Sequence, residues 1–356
     1  MEKELRLMKG NEAIAEAAIR AGTDGYFGYP ITPQSEVLEY LMLEKPHDRT
    51  GMVVLQAESE VAAINMVYGG AGCGKKVMTS SSSPGVSLKQ EGISYIAGAE
   101  LPCLIVNVVR GGPGLGTIQP GQSDYFQSTK GGGHGDYKLI VLAPASVQEM
   151  ADFVELGFEL AFKYRNPALI LSDGAIGQMM EKVWLKPQKE RAKELPGWAT
   201  TGKTPDRERN IITSLDLDSN QQEAFNMKLQ DKYREMEEKE VRFESFQCDD
   251  AEYLLIAYGT SARVSQKAIQ MAREEGIKVG LLRPITLFPF PSKEIGRLAE
   301  QVKGMLTVEM SAGQMVEDVR LSVNGKVPVE HFGRMGGIVP TAEEIVENLK
   351  TKIIGG

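Results

Sequence analysis

The sequence predicts an α/β protein in which a doubly wound domain is followed by a second, smaller α/β domain. Short apolar runs typical of buried strands alternate with segments whose apolar residues recur at helical spacing. A charged, proline-containing stretch interrupts this alternation once, and the alternation then resumes. Because strand-helix alternation requires right-handed crossovers, we expect a mostly parallel sheet in the first domain.

The first domain is expected over residues 1–181. Its predicted strands lie, in chain order, in DGYFGYPI, GMVVLQA, KKVMTSSS, CLIVNVV, YKLIVLAP and PALILSDG. Its predicted helices lie in NEAIAEAAIRAG, PQSEVLEYLML, ESEVAAINMVYGGAG, VSLKQEGISYIAGAE and SVQEMADFVELGFELAFKY. We expect Asn11 to N-cap the first helix and Gly22 to adopt the left-handed conformation after its end.

A charged connector is expected over residues 182–249. It ends in a long helix-like run, SNQQEAFNMKLQDKYREMEEKEVRFE, with few apolar residues. This run is either a solvated connector that wraps a partner subunit or a linker helix with one apolar stripe on its own domain. The second domain, 250–356, is predicted to contain strands in EYLLIAYG, IKVGLLRP and MLTVEM, with helices in SARVSQKAIQMAREEG, PSKEIGRLAEQVKG and from Ala342 onward.

Composition excludes several classes of protein. The formal net charge of −8 and the lack of a dense basic run argue against a nucleic-acid surface. No apolar run has the length of about 18 residues that a bilayer requires, and no secretory leader opens the chain, so we expect a cytoplasmic protein. Three scattered cysteines, Cys73, Cys103 and Cys248, predict neither a disulfide framework nor a metal site within this chain.

The segment YFGYPITPQSEV lies where a strand gives way to a helix, at the edge where open α/β sheets bind ligands. Thr32 fits an N-cap and Pro33 the first helical position. Helix capping explains this pair but not Pro30, which stiffens the end of the strand. From the residues alone, a ligand site and a capping motif are both open readings.

Other motifs bear on the chemistry. GGAGCGKKV and RGGPGLGT imitate phosphate-binding loops, but no helix start follows either of them, so both are rejected as such. Arg110 in the second loop suits an anionic substrate, because a guanidinium group grips a carboxylate with two hydrogen bonds. Glu58 and Glu60 lie at a strand-to-helix joint, where acidic residues also complement the helix dipole. TSSSSPG predicts either a hydroxyl-rich pocket wall or a turn, and His134 lies in a predicted flexible loop.

Five segments together resemble the alpha subunit of the 2-oxoacid:ferredoxin oxidoreductases. They are GYPITPQSE, QAESEVAAI, SSSSPG, VVRGGPGLG and TKGGGHGDY, and their order and spacing match across the whole chain. The glycine loop and GGGHGDY resemble the branched-chain (2-oxoisovalerate) and the closely similar 2-oxoglutarate members. The resemblance implies a domain that holds the aminopyrimidine of thiamine diphosphate, followed by a domain like the transketolase C-terminal domain.

The resemblance also implies roles for particular residues. The family's glutamate corresponds to Glu60, whose carboxyl group would share a proton with a ring nitrogen of the aminopyrimidine, and Glu58 is the second choice. A buried carboxyl group suits this role because desolvation favours its neutral, donating form. The Thr32 hydroxyl group would contact the 2-oxoacid, and Arg110 would hold its carboxylate. The residues expected to line the cofactor site with Glu60 are Tyr29, Pro30, Ile31 and Ser83.

The implied activity is oxidative decarboxylation of a 2-oxoacid, favoured to be 2-oxoisovalerate, with reduction of ferredoxin and transfer of the acyl group to coenzyme A. A beta subunit is expected to hold the diphosphate, Mg²⁺ and a [4Fe-4S] cluster, alongside a gamma subunit and a small ferredoxin-like delta subunit. The absence of a Gly-Asp-Gly motif from this sequence agrees with that division. The alternatives are a 2-oxoglutarate enzyme, a 2-oxoacid dehydrogenase E1 beta-type or transketolase-like subunit, and a non-catalytic scaffold.

Overall fold

A computed structural model describes residues 4–355, which form two central sheets and one small two-stranded sheet. Strands and helices are numbered here in chain order. None of the described helices combines the length and the apolar character that crossing a bilayer requires.

The larger sheet confirms all six strands predicted for the first domain and adds a seventh. Its strands are β2 (Gly25–Gly28), β3 (Val53–Gln56), β4 (Val77–Ser81), β5 (Leu104–Val109), β6 (Ile140–Leu142), β7 (Ala168–Asp173) and β12 (Thr286–Phe288). Across the sheet they run in the order β12-β6-β7-β5-β4-β2-β3. All neighbours are parallel except β12, which comes from the second half of the chain and pairs antiparallel with β6.

The helices associated with this sheet are α1 (Gly10–Arg20), α2 (Ser35–Glu44), α3 (Pro46–Thr50), α4 (Glu60–Gly72), α5 (Ser83–Gly98), α6 (Tyr125–Thr129), α7 (Val147–Tyr164) and α8 (Gly174–Gln178). The prediction for Gly22 is confirmed, since its φ is +72° just after α1. The prediction for Asn11 is wrong, because Lys9 is the N-cap. Asn11 instead lies buried in the first turn, where its amide donates to Pro33 O at 2.7 Å and to Glu36 Oε2 at 3.0 Å.

The connector helix is present as α9 (Ser219–Lys239). Its Leu229, Tyr233 and Met236 are buried in the main hydrophobic core, and its Lys228 and Lys232 pair with Glu100 of the first domain. Of the two alternatives, the structure therefore shows the helix whose apolar stripe packs on its own chain. The predicted helical run is too long at its end, since Phe243 lies in a strand, β9 (Phe243–Phe246).

The second sheet contains β9 and four parallel strands, in the order β14-β13-β10-β11-β9. These strands are β10 (Tyr253–Ile256), β11 (Val279–Pro284), β13 (Gly304–Glu309) and β14 (Val329–Gly333), and β9 pairs antiparallel with β11. The helices here are α10 (Gly259–Glu274), α11 (Ser292–Leu298), α12 (Met315–Val323) and α13 (Ala342–Leu349), followed by a π-helical turn, Lys350–Ile354. The small sheet pairs β1 (Glu4–Lys9) antiparallel with β8 (Met180–Leu185).

Buried polar groups join the two domains. The Gln122 side chain donates to Tyr258 O at 2.9 Å and accepts from Ser261 Oγ at 2.7 Å and from Met310 N at 2.9 Å. Asp173, at the carboxyl end of β7, accepts from Thr260 Oγ1 at 2.7 Å, and burial raises the pKa of its carboxyl group. The second domain is thus hydrogen-bonded to loops at the carboxyl edge of the first sheet.

Candidate functional site

The first sheet has a topological switch point beside β2. The chain passes from β2 to β3 on one side and returns to β4 on the other side of β2. Open α/β sheets bind ligands at the carboxyl ends of the strands at such a point. The pairing register aligns Gly28 with Gln56 and Ser81 with Asn107, so the loops after β2, β3, β4 and β5 lie side by side. Thr32 and Arg110 lie in two of these loops, and Glu60 and Ser83 are the first helical residues after the other two.

Glu60 is the first residue of α4 and is only 7% exposed. Ser59 N-caps the helix, with its hydroxyl accepting from Ala62 N at 3.1 Å. Glu58, two residues earlier, is exposed. The structure thus separates the two carboxylates that the sequence left as alternatives, because the helix start turns Glu60 inward and leaves Glu58 outside.

The Glu60 carboxyl group lies against the first turn of α5. A Cβ atom on Gly85 would lie 2.8 Å from Glu60 Oε1 and 2.2 Å from Ser81 Oγ, so a glycine is required to make room for both groups. The hydroxyl groups of Ser81 and Ser82 are buried and have no hydrogen-bond partner among the described residues. The buried Glu60 carboxyl group and the unpaired Ser81 hydroxyl group therefore lie on either side of the Gly85 position at the carboxyl end of β4, and the next residue, Ser82, has a second buried hydroxyl group without a partner among the described residues.

Arg110 follows β5 and is almost buried. Its guanidinium group donates from Nη1 to Thr32 O at 3.0 Å and from Nη2 to Leu115 O at 2.9 Å, while Nε has no partner within residues 4–355. Ser83 Oγ accepts from Arg110 N at 3.2 Å and lies 3.3 Å from Arg110 O. Arg110 therefore ties the glycine loop to the loop that carries Thr32, and these two hydrogen bonds use only two of its five N–H donors.

Thr32 is exposed and is not a helix cap, so that prediction is wrong. The N-cap of α2 is Gln34, because the loop runs two residues further before the helix begins. The Thr32–Pro33 peptide bond is cis, and Pro33 O accepts from Asn11 Nδ2 at 2.7 Å and Gln178 Nε2 at 3.0 Å. These contacts hold the carbonyl group of Pro33, Arg110 holds that of Thr32, and the Thr32 side chain remains at the surface.

The remaining predicted residues differ in their positions. Tyr29 and Ile31 are half-buried, Pro30 is exposed, and Tyr29 O accepts from Gln34 Nε2 at 3.2 Å. His134 is exposed in its loop, with an edge-on contact to the Tyr95 ring at 6.5 Å between centroids. Within residues 4–355, no side-chain hydrogen bond joins His134 to the four loops.

Sequence reasoning missed a buried polar chain beneath the Thr32 loop. Ser80 Oγ donates to Gln34 Oε1 at 2.5 Å and lies 2.7 Å from Tyr26 OH, and Lys89 Nζ donates to Ser80 O at 3.2 Å. The hydroxyl-rich reading of TSSSSPG pointed toward this wall. The available signal for Lys89 was its spacing of four residues from Gly85, which places both on one helix face.

Two family models match most of the chain. Pyruvate flavodoxin/ferredoxin oxidoreductase, thiamine diP-bdg, matches residues 16–246, and Pyruvate:ferredoxin oxidoreductase core domain II matches residues 251–345. The fold and the switch-point site thus define a thiamine diphosphate-binding α/β domain joined to a second α/β domain. The predicted fold class is confirmed.

Similar proteins narrow the class. The ketoisovalerate oxidoreductase subunit VorB of Methanothermobacter thermautotrophicus is 51% identical over 97% of both chains. The 2-oxoglutarate synthase subunit KorA of Methanothermobacter marburgensis is 36% identical, covering 96% of this chain and 97% of that one. This chain belongs to the 2-oxoacid:ferredoxin oxidoreductase family and is part of an oxidoreductase that acts on 2-oxoacids, as its five sequence segments predicted.

Solved structures agree with this assignment. The 2-oxoglutarate:ferredoxin oxidoreductase from Magnetococcus marinus, with 2-oxoglutarate, coenzyme A and succinyl-CoA bound, is 28% identical with a TM-score of 0.86. The match covers 99% of this chain and 66% of that chain, so the present chain spans about two thirds of its length. A split gene transketolase, an inactive beta4 tetramer, is 13% identical with a TM-score of 0.60 over 98% of both chains, which shows a shared fold alone.

Proposed function

We propose that this chain is the alpha subunit that holds the aminopyrimidine side of a thiamine diphosphate site, and that a second polypeptide completes the site. The assembled enzyme would convert a branched-chain 2-oxoacid, favoured to be 2-oxoisovalerate, to acyl-CoA and CO₂ while reducing ferredoxin. We favour this substrate because the sequence identity to ketoisovalerate oxidoreductase subunits, 51% and 52%, is higher than that to a 2-oxoglutarate synthase subunit, 36%. The observation that carries the site is the buried Glu60 at the switch point.

The residues present fit the polar edge of an aminopyrimidine. Glu60 offers a carboxyl group that burial keeps from water, and the Ser81 and Ser82 hydroxyl groups still lack hydrogen-bond partners within the described chain. Such buried polar groups are costly unless a ligand or water satisfies them. Bound thiamine diphosphate supplies the carbon nucleophile and the electron sink for decarboxylation.

The chain's own residues then have distinct tasks. Glu60 holds a proton at its carboxyl group, to be shared with a ring nitrogen of the cofactor. The N–H groups of Arg110 that are not used within the chain and the Thr32 hydroxyl group are the donors for the 2-oxoacid carboxylate, since Nη1 and Nη2 each use one of their two N–H groups on Thr32 O and Leu115 O. A lost charge-assisted hydrogen bond to a desolvated carboxylate costs about 1.5–3 kcal/mol.

Exposed apolar side chains on the elements that carry the site support a partner subunit there. They belong to β3, α4, α5 and the glycine loop, and are Val53, Leu55, Val61, Leu88, Leu115 and Ile118. Concentrations of exposed apolar surface commonly mark interaction sites. The residues described contain no group of three or more His, Cys, Asp or Glu side chains that could hold a metal ion. On the family resemblance, we assign the diphosphate, Mg²⁺ and [4Fe-4S] sites to a beta subunit, within a complex that includes gamma and ferredoxin-like delta subunits.

The decisive experiment replaces Glu60 in the assembled complex. Glu60→Gln keeps the size of the side chain but removes the acid-base group, so we expect turnover to fall by about a hundredfold or more. Ferredoxin or viologen reduction with 2-oxoisovalerate and coenzyme A measures the effect.

The matched control is Glu58→Gln, because Glu58 lies two residues away on the exposed side of the joint. Unchanged turnover in Glu60→Gln would refute the assignment, and a large loss only in Glu58→Gln would transfer the role to Glu58. Comparing kcat/KM for 2-oxoisovalerate, 2-oxoglutarate and pyruvate in the wild-type complex tests the substrate separately. A clear preference for 2-oxoglutarate would favour the second candidate function, a 2-oxoglutarate:ferredoxin oxidoreductase. The solved Magnetococcus enzyme, to which this chain is similar, has that activity.

A further inference from the structure

Lys89 is a buried lysine close to the candidate site, and the proposed mechanism gives it no task. It is completely buried in α5, where lysine is rarely found without a partner charge. Its Nζ donates to Thr79 Oγ1 at 2.6 Å and to Ser80 O at 3.2 Å. Both acceptors are neutral, and Lys89 forms no ion pair within 4–355, so its charge is not neutralised by direct contact.

The helix places Lys89 behind Glu60. Gly85 and Lys89 are four residues apart on one face of α5, and the Gly85 position abuts Glu60 Oε1. The Lys89 side chain therefore lies about one turn of α5 further along than the Glu60 carboxyl group, on the same side of β4. Burial lowers the pKa of Lys89 to about 7, and the negative charge of Glu60 acts in the opposite direction.

The other titratable groups near this wall do not neutralise Lys89. Tyr26 on β2 lies next to Ser80, but burial raises the pKa of its phenol to about 12, so it stays neutral. Asp124, beyond β5, accepts from Asn107 Nδ2 at 2.8 Å, and Arg110 is held by Thr32 and Leu115. Glu60 is thus the charged group to which Lys89 responds.

We propose that Lys89 is a positioning residue for Glu60, whose buried ammonium group stabilises the carboxylate form of Glu60 and so sets the pH at which Glu60 passes its proton to the cofactor ring. This inference rests on the proposed role of Glu60. It adds a residue that contacts neither the substrate nor the cofactor and acts through charge.

The test uses the assembled complex, depleted of cofactor. The affinity for thiamine diphosphate is measured by calorimetry across the pH range in which the complex is stable, for the wild type, Lys89→Met, Glu60→Gln and the double variant. Without the ammonium group the carboxylate form of Glu60 is less favoured, so we expect Lys89→Met to move the midpoint of the pH dependence upward by about one unit. The acidic side of the pH dependence of kcat should move in the same direction. In the double variant, Lys89→Met should cause no further shift beyond that of Glu60→Gln alone.

Lys76→Met is the matched control, because Lys76 is also partly buried but donates to Ala21 O at 2.9 Å at the opposite end of β4. Its midpoint should equal that of the wild type. If Lys89→Met fails to assemble, Thr79→Val removes one acceptor of the ammonium group and should give a smaller upward shift.

The outcomes separate the two proposals. Full turnover in Glu60→Gln would overturn the proposed site, whereas inactive Glu60→Gln with an unmoved midpoint in Lys89→Met would overturn only the role of Lys89. A lower affinity in Lys89→Met with the same midpoint would show a structural role and would also count against the inference.

Discussion

The position of the Glu60 carboxyl group depends on a glycine, because Gly85 has no side chain to fill the space beside it. Gly85 leaves the space that Glu60 Oε1 and Ser81 Oγ occupy, and a Cβ atom there would lie 2.8 Å and 2.2 Å from these two atoms. Gly85→Ala should therefore displace Glu60 and cost roughly 1–3 kcal/mol in the free energy of unfolding, the usual cost of overpacking. We expect turnover of the complex to fall by about tenfold or more. Denaturant unfolding and viologen reduction measure the two effects.

Gly69→Ala provides the control for helix propensity. Gly69 lies in α4, and a Cβ atom there would meet nothing within 4 Å. This substitution should be neutral or stabilising by up to about 1 kcal/mol, because alanine favours helices over glycine. Equal effects of the two substitutions would show that the space at Gly85 is unimportant.

At the scale of single residues, the sequence predicted which residues lie near the site better than it predicted which groups they contact. It placed Glu58 and Glu60 at one joint, but only the start of α4 at Glu60 shows which of them turns inward. Thr32 and Asn11 are good capping residues, yet neither caps a helix. Asn11 instead donates to Pro33 O, a contact 22 residues away in the chain that no local pattern reveals.

Among the elements, α9 shows most clearly that a helix with a mostly charged sequence can still be anchored by a few buried residues. This charged helix buries Leu229, Tyr233 and Met236 against the first domain. Met236→Ala should lower the free energy of unfolding by about 2–5 kcal/mol, because the side chain is fully buried and its removal leaves a cavity. Met227→Ala is the matched control, since Met227 in the same helix is 66% exposed and should change stability little. Guanidinium unfolding measures the free energy of unfolding of both variants. Equal values for the two would mean that α9 is not anchored to its own chain.

The elements that the sequence predicted are those with strong apolar periodicity. Five of the six strands of the first domain are mostly buried, and β3, with Val53 and Leu55 exposed, was still recognisable from its apolar run, whereas β1, β8, β9, β12 and β14 escaped prediction. β1 and β8 form a separate two-stranded sheet with Leu7 and Trp184 exposed, and β12 has only three residues. Such short or half-exposed strands are defined by their pairing partner, which the local sequence does not contain.

At the scale of the whole molecule, the second domain supports the loops at the carboxyl edge of the first sheet. The glycine loop that begins after Arg110 packs against a pair of glycines in the second domain, where a Cβ atom on Gly337 would lie 2.4 Å from Gln119 Cβ. Arg110 holds the same loop from the inner side through Leu115 O. The loop is thus held from both domains, which the order of elements along the chain does not predict.

The proposed division of the cofactor site between polypeptides leads to a prediction about the chain by itself. The sequence has three cysteines, one fewer than the four ligands of a [4Fe-4S] cluster, and it lacks a Gly-Asp-Gly motif. The site residues described above face only the aminopyrimidine in our proposal, so the diphosphate charges would remain uncompensated in the isolated chain. We therefore expect the purified chain to contain no stoichiometric iron and to bind thiamine diphosphate far more weakly than the assembled complex does. Iron analysis and calorimetry of both preparations measure this, and tight binding of either group by the chain alone would contradict a shared site.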